Sequence, residues 1–179
     1  MAIVTADLKW YLSIKTGSAG NSSAQSDANA SLGKYLSTTQ APTTLNGLFD
    51  AVTKERNAAS EVDYRCVFIR NSHATLTALS GYLYLDGGDP AGGPDWAIAV
   101  DTTAASAIGS SSAQALEIAT DTTAPSGLSF SAPTTEGTGL ALGDIAPGHC
   151  RAVWIRCSAT NSVAVTEEIT LKATFSTLA

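Results

Sequence analysis

The sequence contains few charged residues and very few basic ones. Asp, Glu, Lys and Arg make up 15% of its 179 residues, and 10 Lys and Arg stand against 16 Asp and Glu. Proteins that hold a phosphate backbone or an anionic lipid surface do so with clusters of basic side chains. With a net charge of −6, the composition argues against nucleic acid and membrane surfaces as partners.

Long apolar runs are also missing. No segment approaches the roughly 20 consecutive apolar residues that cross a bilayer as a helix. The N-terminal stretch MAIVTADLKWYLSIK does not place a basic segment before an apolar one, as a secretory leader does. We therefore expect a chain that is made in the cytoplasm and is not exported.

Histidine is nearly absent, and no sequence motif of an enzyme is present. His73 and His149 are the two histidines of the chain, and neither has the spacing of a zinc or catalytic motif. No Gly-x-Ser-x-Gly nucleophile motif occurs either. We expect no catalytic residue, no cofactor and no enzymatic activity. His149 beside Cys150 could bind zinc or activate a thiolate, but the favoured interpretation is a loop histidine at a strand entrance.

Three aspartates lie close together in the glycine-rich stretch DGGDPAGGPDW, at Asp86, Asp89 and Asp95. Clustered carboxylates are typical ligands of Ca²⁺. Their spacing lacks the regular alternation of a calcium loop, and prolines interrupt it. Because Asp and Gly are also the ordinary residues of tight turns, a turn without metal is the favoured interpretation.

The chain has three cysteines, Cys66, Cys150 and Cys157. An odd number in a chain made in a reducing compartment indicates thiols rather than disulfides. The favoured interpretation is therefore that the cysteines are small buried hydrophobic residues. The alternative is a disulfide from Cys66 to Cys150 or Cys157, across neighbouring strands.

Alternation of apolar and polar residues is the main positive signal. It is clear in residues 8–14, 64–71, 151–157 and 169–176, each of which reads as a strand. Glycine- and proline-containing turns separate many short segments of this kind. The pattern predicts an all-β fold, an antiparallel β-sandwich of the jelly-roll or immunoglobulin-like type. It leaves room for at most one short helix.

The one helical pattern lies between two polar stretches. Leu45, Leu48, Phe49 and Val52 follow the i, i+3, i+4, i+7 spacing of one helix face. Gly47 weakens this prediction. A compact apolar loop that plugs one end of the sandwich is equally compatible with the pattern.

The N-terminal strand is followed by a polar stretch with almost no apolar residue, TGSAGNSSAQSDANAS. We therefore predict that residues 1–31 form an extended N-terminal arm and that residues 32–179 form the sandwich domain. A strand on a long tether can add to an open sheet edge of a neighbour. The alternative is an ordinary first strand of its own sandwich. The predicted interface residues of the arm are Leu8, Trp10, Leu12 and Ile14.

The three tryptophans, Trp10, Trp96 and Trp154, allow a second kind of site. Aromatic side chains that share an exposed surface can form a sugar-binding platform. Single tryptophans on alternating strands are more often core or interface residues. Burial of Trp10 and Trp154 would argue against the platform.

Two stretches carry a resemblance to a known group of proteins. Residues 46–79 and residues 139–159, GLALGDIAPGHCRAVWIRCSA, resemble small structural proteins from the virion-morphogenesis modules of tailed bacteriophages. The N-terminal 45 residues do not clearly match this group. The matched features are Leu48-Phe49-Asp50, Tyr64 to Asn71, Gly143-Asp144-Ile145 and Ala152 to Arg156.

The resemblance implies a virion protein without catalytic residues, most simply a decoration (cement) protein on the outside of the capsid. Its implied partners are the major capsid protein and copies of itself, as a homotrimer. It would be made in the cytoplasm of the host bacterium and end on the capsid surface. The alternatives are a protein of the tail, neck or fibre, and a β-sandwich module that binds carbohydrate or a receptor.

Overall fold

A computed structural model describes residues 3–17, 20–89, 92–159 and 168–176. Within these residues there is one α-helix, α1 (Lys54–Ala58), and short 3₁₀ turns lie at Thr5–Asp7, Ala28–Ala30 and Glu136–Thr138. The same residues contain no helix that is long and apolar enough to span a membrane. The strands are β1 (Leu8–Ile14), β2 (Tyr35–Gln40), β3 (Val62–Asn71), β4 (Ala78–Asp86), β5 (Asp95–Val100), β6 (Ser106–Ala107), β7 (Leu140–Ile145), β8 (His149–Ser158) and β9 (Thr170–Ser176).

The strands form two antiparallel sheets. The main sheet has the order β2-β1-β3-β8-β5, with β6 also paired to β8, and the small sheet has the order β7-β4-β9. The longest ladder joins β3 to β8, from Val62 opposite Ser158 to Arg70 opposite Cys150. The prediction of an all-β, antiparallel, sandwich-like fold with one short helix is confirmed.

One core lies between the two sheets. Every second side chain of β3 and β8 points toward the small sheet, and side chains of β4 meet them from that sheet. Their burial is complete or nearly so, and burial of apolar side chains of this kind stabilises the fold. The central members are Val67, Ile69, Val153, Ile155, Leu83 and Leu85.

A second core covers the opposite face of the main sheet. It is closed by residues 101–131, called here the covering segment, which contains only the two-residue strand β6. Cys66, Phe68 and Trp154 of the sheet pack in one cluster with Ala115 and Ile118 of the covering segment. Because both faces are covered, β3 and β8 are buried along most of their length.

Asp101 attaches the covering segment to the sheet. Its side chain is 1% exposed and accepts three hydrogen bonds. Oδ1 accepts from the Thr103 amide at 2.8 Å, and Oδ2 accepts from the Leu116 amide at 2.9 Å and from Nε1 of Trp154 at 2.8 Å. A buried carboxylate is tolerated only when its oxygens are satisfied in this way.

The N-terminal strand is not an arm in this structure. β1 lies between β2 and β3 and pairs antiparallel with both. The polar residues that follow are also anchored: Nε2 of Gln25 donates to the carbonyl of Ser13 at 3.2 Å, and Ser31 Oγ donates to the carbonyl of Cys66 at 2.6 Å. The predicted division at residue 31 is therefore corrected, because residues on both sides of it belong to one sheet.

The helical pattern around Phe49 belongs to a loop. Residues 45–52 contain no helix, and α1 begins two residues later. A turn with Asn46 at a φ of 55° and a hydrogen bond from the Gly47 amide to the carbonyl of Thr44 interrupts any helix here. The prediction of a helix is wrong. The alternative of a compact apolar loop is what the structure has, with Phe49 buried in the core between the sheets.

Replacement of Asp101 by Asn should destabilise the fold. The side-chain NH₂ group of the introduced Asn would face N–H donors that now bind the carboxylate, and donors cannot pair with each other. We therefore expect the free energy of unfolding to fall by about 2–3 kcal/mol. Urea denaturation followed by tryptophan fluorescence measures this change.

Asp144→Asn is the matched control. Asp144 is exposed and accepts a single hydrogen bond, from the Ser80 amide at 2.8 Å, so its loss should cost less than about 1 kcal/mol. Equal losses for the two variants would contradict the anchoring role of Asp101.

Candidate binding cleft

The two histidines contact the backbone of nearby residues. Nδ1 of His73 accepts hydrogen bonds from the amides of Thr75 at 3.2 Å and Leu76 at 3.0 Å. Nδ1 of His149 lies 3.0 Å from the carbonyl oxygen of Pro147, at the entrance to β8. His73 therefore serves a turn, and His149 is the first residue of β8, at the strand entrance that the favoured interpretation gave it.

The three aspartates of the glycine-rich stretch do not come together as a metal site. Asp86 binds Nζ of Lys172 at 3.0 Å, and Oδ2 of Asp89 accepts from the Trp96 amide at 3.3 Å. Desolvation raises the pKa of Asp89, against the hydrogen bond from Trp96, and the nearby charge of Asp95 raises it further. Across the described ranges no group of three or more His, Cys, Asp or Glu residues has a geometry that could hold a metal ion.

The cysteines are buried thiols, and none forms a disulfide. Cys66 and Cys150 lie in the core under the covering segment, and Cys157 lies in the core between the sheets. Desolvation raises the pKa of Cys66 well above its ordinary value and that of Cys150 to about 12. Cys150 is thus kept protonated, which argues against a thiolate activated by His149.

A cleft of about 550 Å³ lies between the sheets. Four strands of the main sheet form its floor through Trp10, Val67, Ile155 and Trp96. These side chains point to this face because β-strands alternate. The floor is apolar, as in most sites that bind small molecules or apolar side chains.

The cleft has two walls. Residues 41–52 form one, and residues 168–171, at the start of β9, form the other. Phe49 holds the first wall to the floor, since its ring packs edge-on against Trp96 with the ring centroids 5.2 Å apart. At the rim, Leu45 is 57% exposed.

The charge around the cleft is negative. Asp50 and Glu168 line it, and the lining residues that the structure describes include no Lys, Arg or His. Arg65 lies behind the first wall, with its guanidinium 5.1 Å from the ring centroid of Phe49. Desolvation lowers the pKa of Arg65, while Asp121 and Asp50 act to raise it, and the group stays cationic because an arginine pKa remains far above neutrality.

The tryptophans divide between the two faces of the main sheet. Trp154 is fully buried under the covering segment, whereas Trp10 and Trp96 are half-buried and line the cleft. A platform of all three is therefore not formed. Two of them remain in one apolar site.

The four predicted interface residues also divide. Leu12 and Ile14 are 3% and 7% exposed inside their own subunit, so they are not available to a neighbour, and the prediction is corrected for these two. Leu8 and Trp10 are half-buried and pack against the core between the sheets. Whether Leu8 and Trp10 contact a neighbour stays a prediction.

The arrangement of the cleft suits the binding of an apolar group. In the part of the chain that the structure describes, the cleft combines an apolar floor with two carboxylates, Asp50 and Glu168, and three threonines, Thr43, Thr44 and Thr170. Cys157 also lines it and is 3% exposed. Sequence reasoning pointed to an apolar loop at residues 45–52 but not to the cleft. The cleft depends on how that loop and β9 sit over the main sheet.

Comparisons with known proteins give no relative. No family model matches the sequence, no curated protein matches it, and no solved structure matches the fold. The residues and their geometry are therefore the basis for a functional proposal.

Burial of the cysteines predicts inert thiols. A maleimide reagent at pH 7 should leave the native protein unlabelled and should label all three cysteines after denaturation. Ser112→Cys, at an exposed position of the covering segment, is the positive control and should react at once. Labelling of native wild-type protein at the rate of the control would contradict the burial.

The raised pKa of the Cys150 thiol also makes the stability of the fold depend on pH. The unfolded chain loses the proton of Cys150 near pH 9, whereas the folded protein holds it until about pH 12. The unfolded state binds fewer protons in this window, so the contribution of Cys150 to the free energy of unfolding falls as pH rises above 9. Urea denaturation of wild type and Cys150→Ala between pH 8 and pH 10 measures it, and an equal pH slope in the two proteins would contradict it.

Proposed function

We propose that the chain is a non-enzymatic structural protein of a bacteriophage virion, a decoration protein that binds the outside of the head and stabilises it. Its partners are the major capsid protein and further copies of itself. The observation that carries the proposal is the resemblance of residues 46–79 and 139–159 to small virion proteins. These stretches contain β3 and β8, which pair along their length at the centre of the main sheet.

The composition of the surface supports this role. A decoration protein must be soluble before assembly and must then make extensive contacts with the shell. A net charge of −6 keeps free copies apart, and the low content of charged residues limits the desolvation cost of burying a large surface. The apolar cleft, with Leu45 exposed at its rim, offers a place for an apolar side chain of the shell.

Purified virions of the phage whose genome encodes the chain provide the test. Quantitative mass spectrometry should find it at a copy number comparable with that of the major capsid protein, and adding the purified chain to particles that lack it should raise the temperature at which they release DNA. A copy number matching one ring of a neck or tail would move the protein to that part of the virion. Its absence from virions would overturn the proposal.

A carbohydrate- or receptor-binding module is the second candidate. The observation that favours it is the pairing of Trp10 and Trp96 with Asp50 and Glu168 in one cleft, because sugars are bound by aromatic faces together with hydrogen-bond acceptors. A glycan array separates the candidates. Strong binding that is lost in Trp96→Ala and kept in Trp154→Phe would favour this module over a decoration protein.

A further inference from the structure

The main sheet has no open edge in the part of the chain that the structure describes. Residues 21–25 run along β2, where the Asn21 amide donates to the carbonyl of Leu36 and the Thr38 amide to that of Ser23. On the other side, Ser131 exchanges two backbone hydrogen bonds with Ile98 of β5, at 2.8 and 3.0 Å. Such covers prevent another strand from pairing with the sheet.

The β7 edge of the small sheet is irregular. The register between β7 and β4 shifts on both sides of Gly81, and Gly143 has a φ of 72°. Bulges of this kind twist an edge and prevent pairing with a further strand. The side chain of Asp144, which binds the Ser80 amide, adds a charge there.

Among the described residues no segment is paired with β9 on the side away from β4, and the one register shift between β9 and β4 lies at the C-terminal end of β9, between Thr174 and Ser176. Its pairing with β4 is regular from Tyr82 opposite Thr174 to Asp86 opposite Thr170. Among the described residues, every backbone hydrogen bond of β9 goes to β4. In an antiparallel edge strand, alternate residues point their N–H and C=O groups away from the sheet, where a further strand can bind them.

The two faces of β9 restrict how a further strand can pair. Ile169 and Leu171 are half-buried and pack against the core between the sheets. Glu168, Thr170 and Lys172 alternate with them and are exposed, although Glu168 and Thr170 also border the cleft. A shift by one residue would place apolar side chains opposite polar ones. A favourable partner strand must therefore keep apolar residues opposite Ile169 and Leu171.

We propose that this edge pairs antiparallel with the same edge of a second copy, around a two-fold axis at Thr170. Leu171 then lies opposite Ile169 of the second copy on the face that packs against the core. Lys172 lies opposite Glu168 of the second copy, so that symmetry creates two such ion pairs on the exposed face.

Every two-fold axis that passes through a residue of β9 keeps apolar side chains opposite apolar ones and polar side chains opposite polar ones. The charges distinguish the axis at Thr170 from the others. An axis at Lys172 would place two lysines opposite each other, and an axis at Leu171 or Ala173 would place a threonine opposite each lysine. Of the axis positions from Thr170 to Thr174, Thr170 alone brings Lys172 opposite a carboxylate. The two small sheets then form one six-stranded sheet, β7-β4-β9-β9-β4-β7. The inference concerns the chain itself and does not depend on a role in virions.

Cross-linking of the full chain tests the pairing. Opposite residues in an antiparallel pair have Cα atoms about 4.5–5.5 Å apart, which suits a disulfide. Thr170→Cys should therefore form a disulfide-linked dimer under mild oxidation, while the native cysteines stay buried. Ser176→Cys, exposed on the same strand, is the control, since its two copies would lie about 40 Å apart at roughly 3.3 Å per residue.

Charge reversal tests the register by a second route. Glu168→Lys and Lys172→Glu should each weaken the dimer about tenfold in sedimentation velocity, and the double variant should restore it. Thermal unfolding of each variant checks that the fold is kept, because Lys172 also binds Asp86. A monomer at every concentration, a trimer without a cross-link at position 170, or equal cross-linking of Ser176→Cys would overturn the proposal.

Discussion

The hydrogen bonds of the Asp101 carboxylate join the covering segment to the main sheet. Along most of their length these two parts are not paired as strands. One oxygen binds both the Leu116 amide, in the covering segment, and the indole of Trp154, in the middle of β8. Arg151 donates to the carbonyl of the same residue at 2.9 Å. A charged acceptor strengthens each bond, and its removal would leave buried donors without a partner. The second core depends on this connection.

Other buried polar side chains repeat this arrangement where loops meet strands. Gln114 accepts from the Leu36 amide and donates to the carbonyl of Ala107, which joins β2 to the covering segment. Asn71 donates to the carbonyls of Leu76 and Ile145, which joins the end of β3 to the loop that follows it and to the end of β7. A chain with few charged residues thus fixes its long loops with amides, hydroxyls and a small number of carboxylates, among them Asp101 and Asp121, which pairs with Arg65. The cleft and the β9 edge are two features that these contacts leave open.

The sequence was sufficient to predict the strands and the fold class, because the alternation in residues 64–71 and 151–157 is a local property. It could not predict that residues 101–131 form a second core, since their Ser, Thr and Ala residues have the composition of ordinary turns. The arm prediction failed for a related reason: the anchors of residues 16–31 are the polar side chains of Gln25 and Ser31, which hydropathy cannot distinguish from solvated ones. The cleft could not be predicted from the sequence because it forms between segments that are far apart along the chain.

The central claim is that the covering segment is an integral layer of the fold and not a surface loop. Native-state hydrogen exchange of the Leu116 and Thr103 amides tests it most directly, because both donate to Asp101. The account predicts that they exchange only through global unfolding, with the same free energy of opening as the amides of β3 and β8. Exchange through local opening, at the rates of exposed turns, would contradict it.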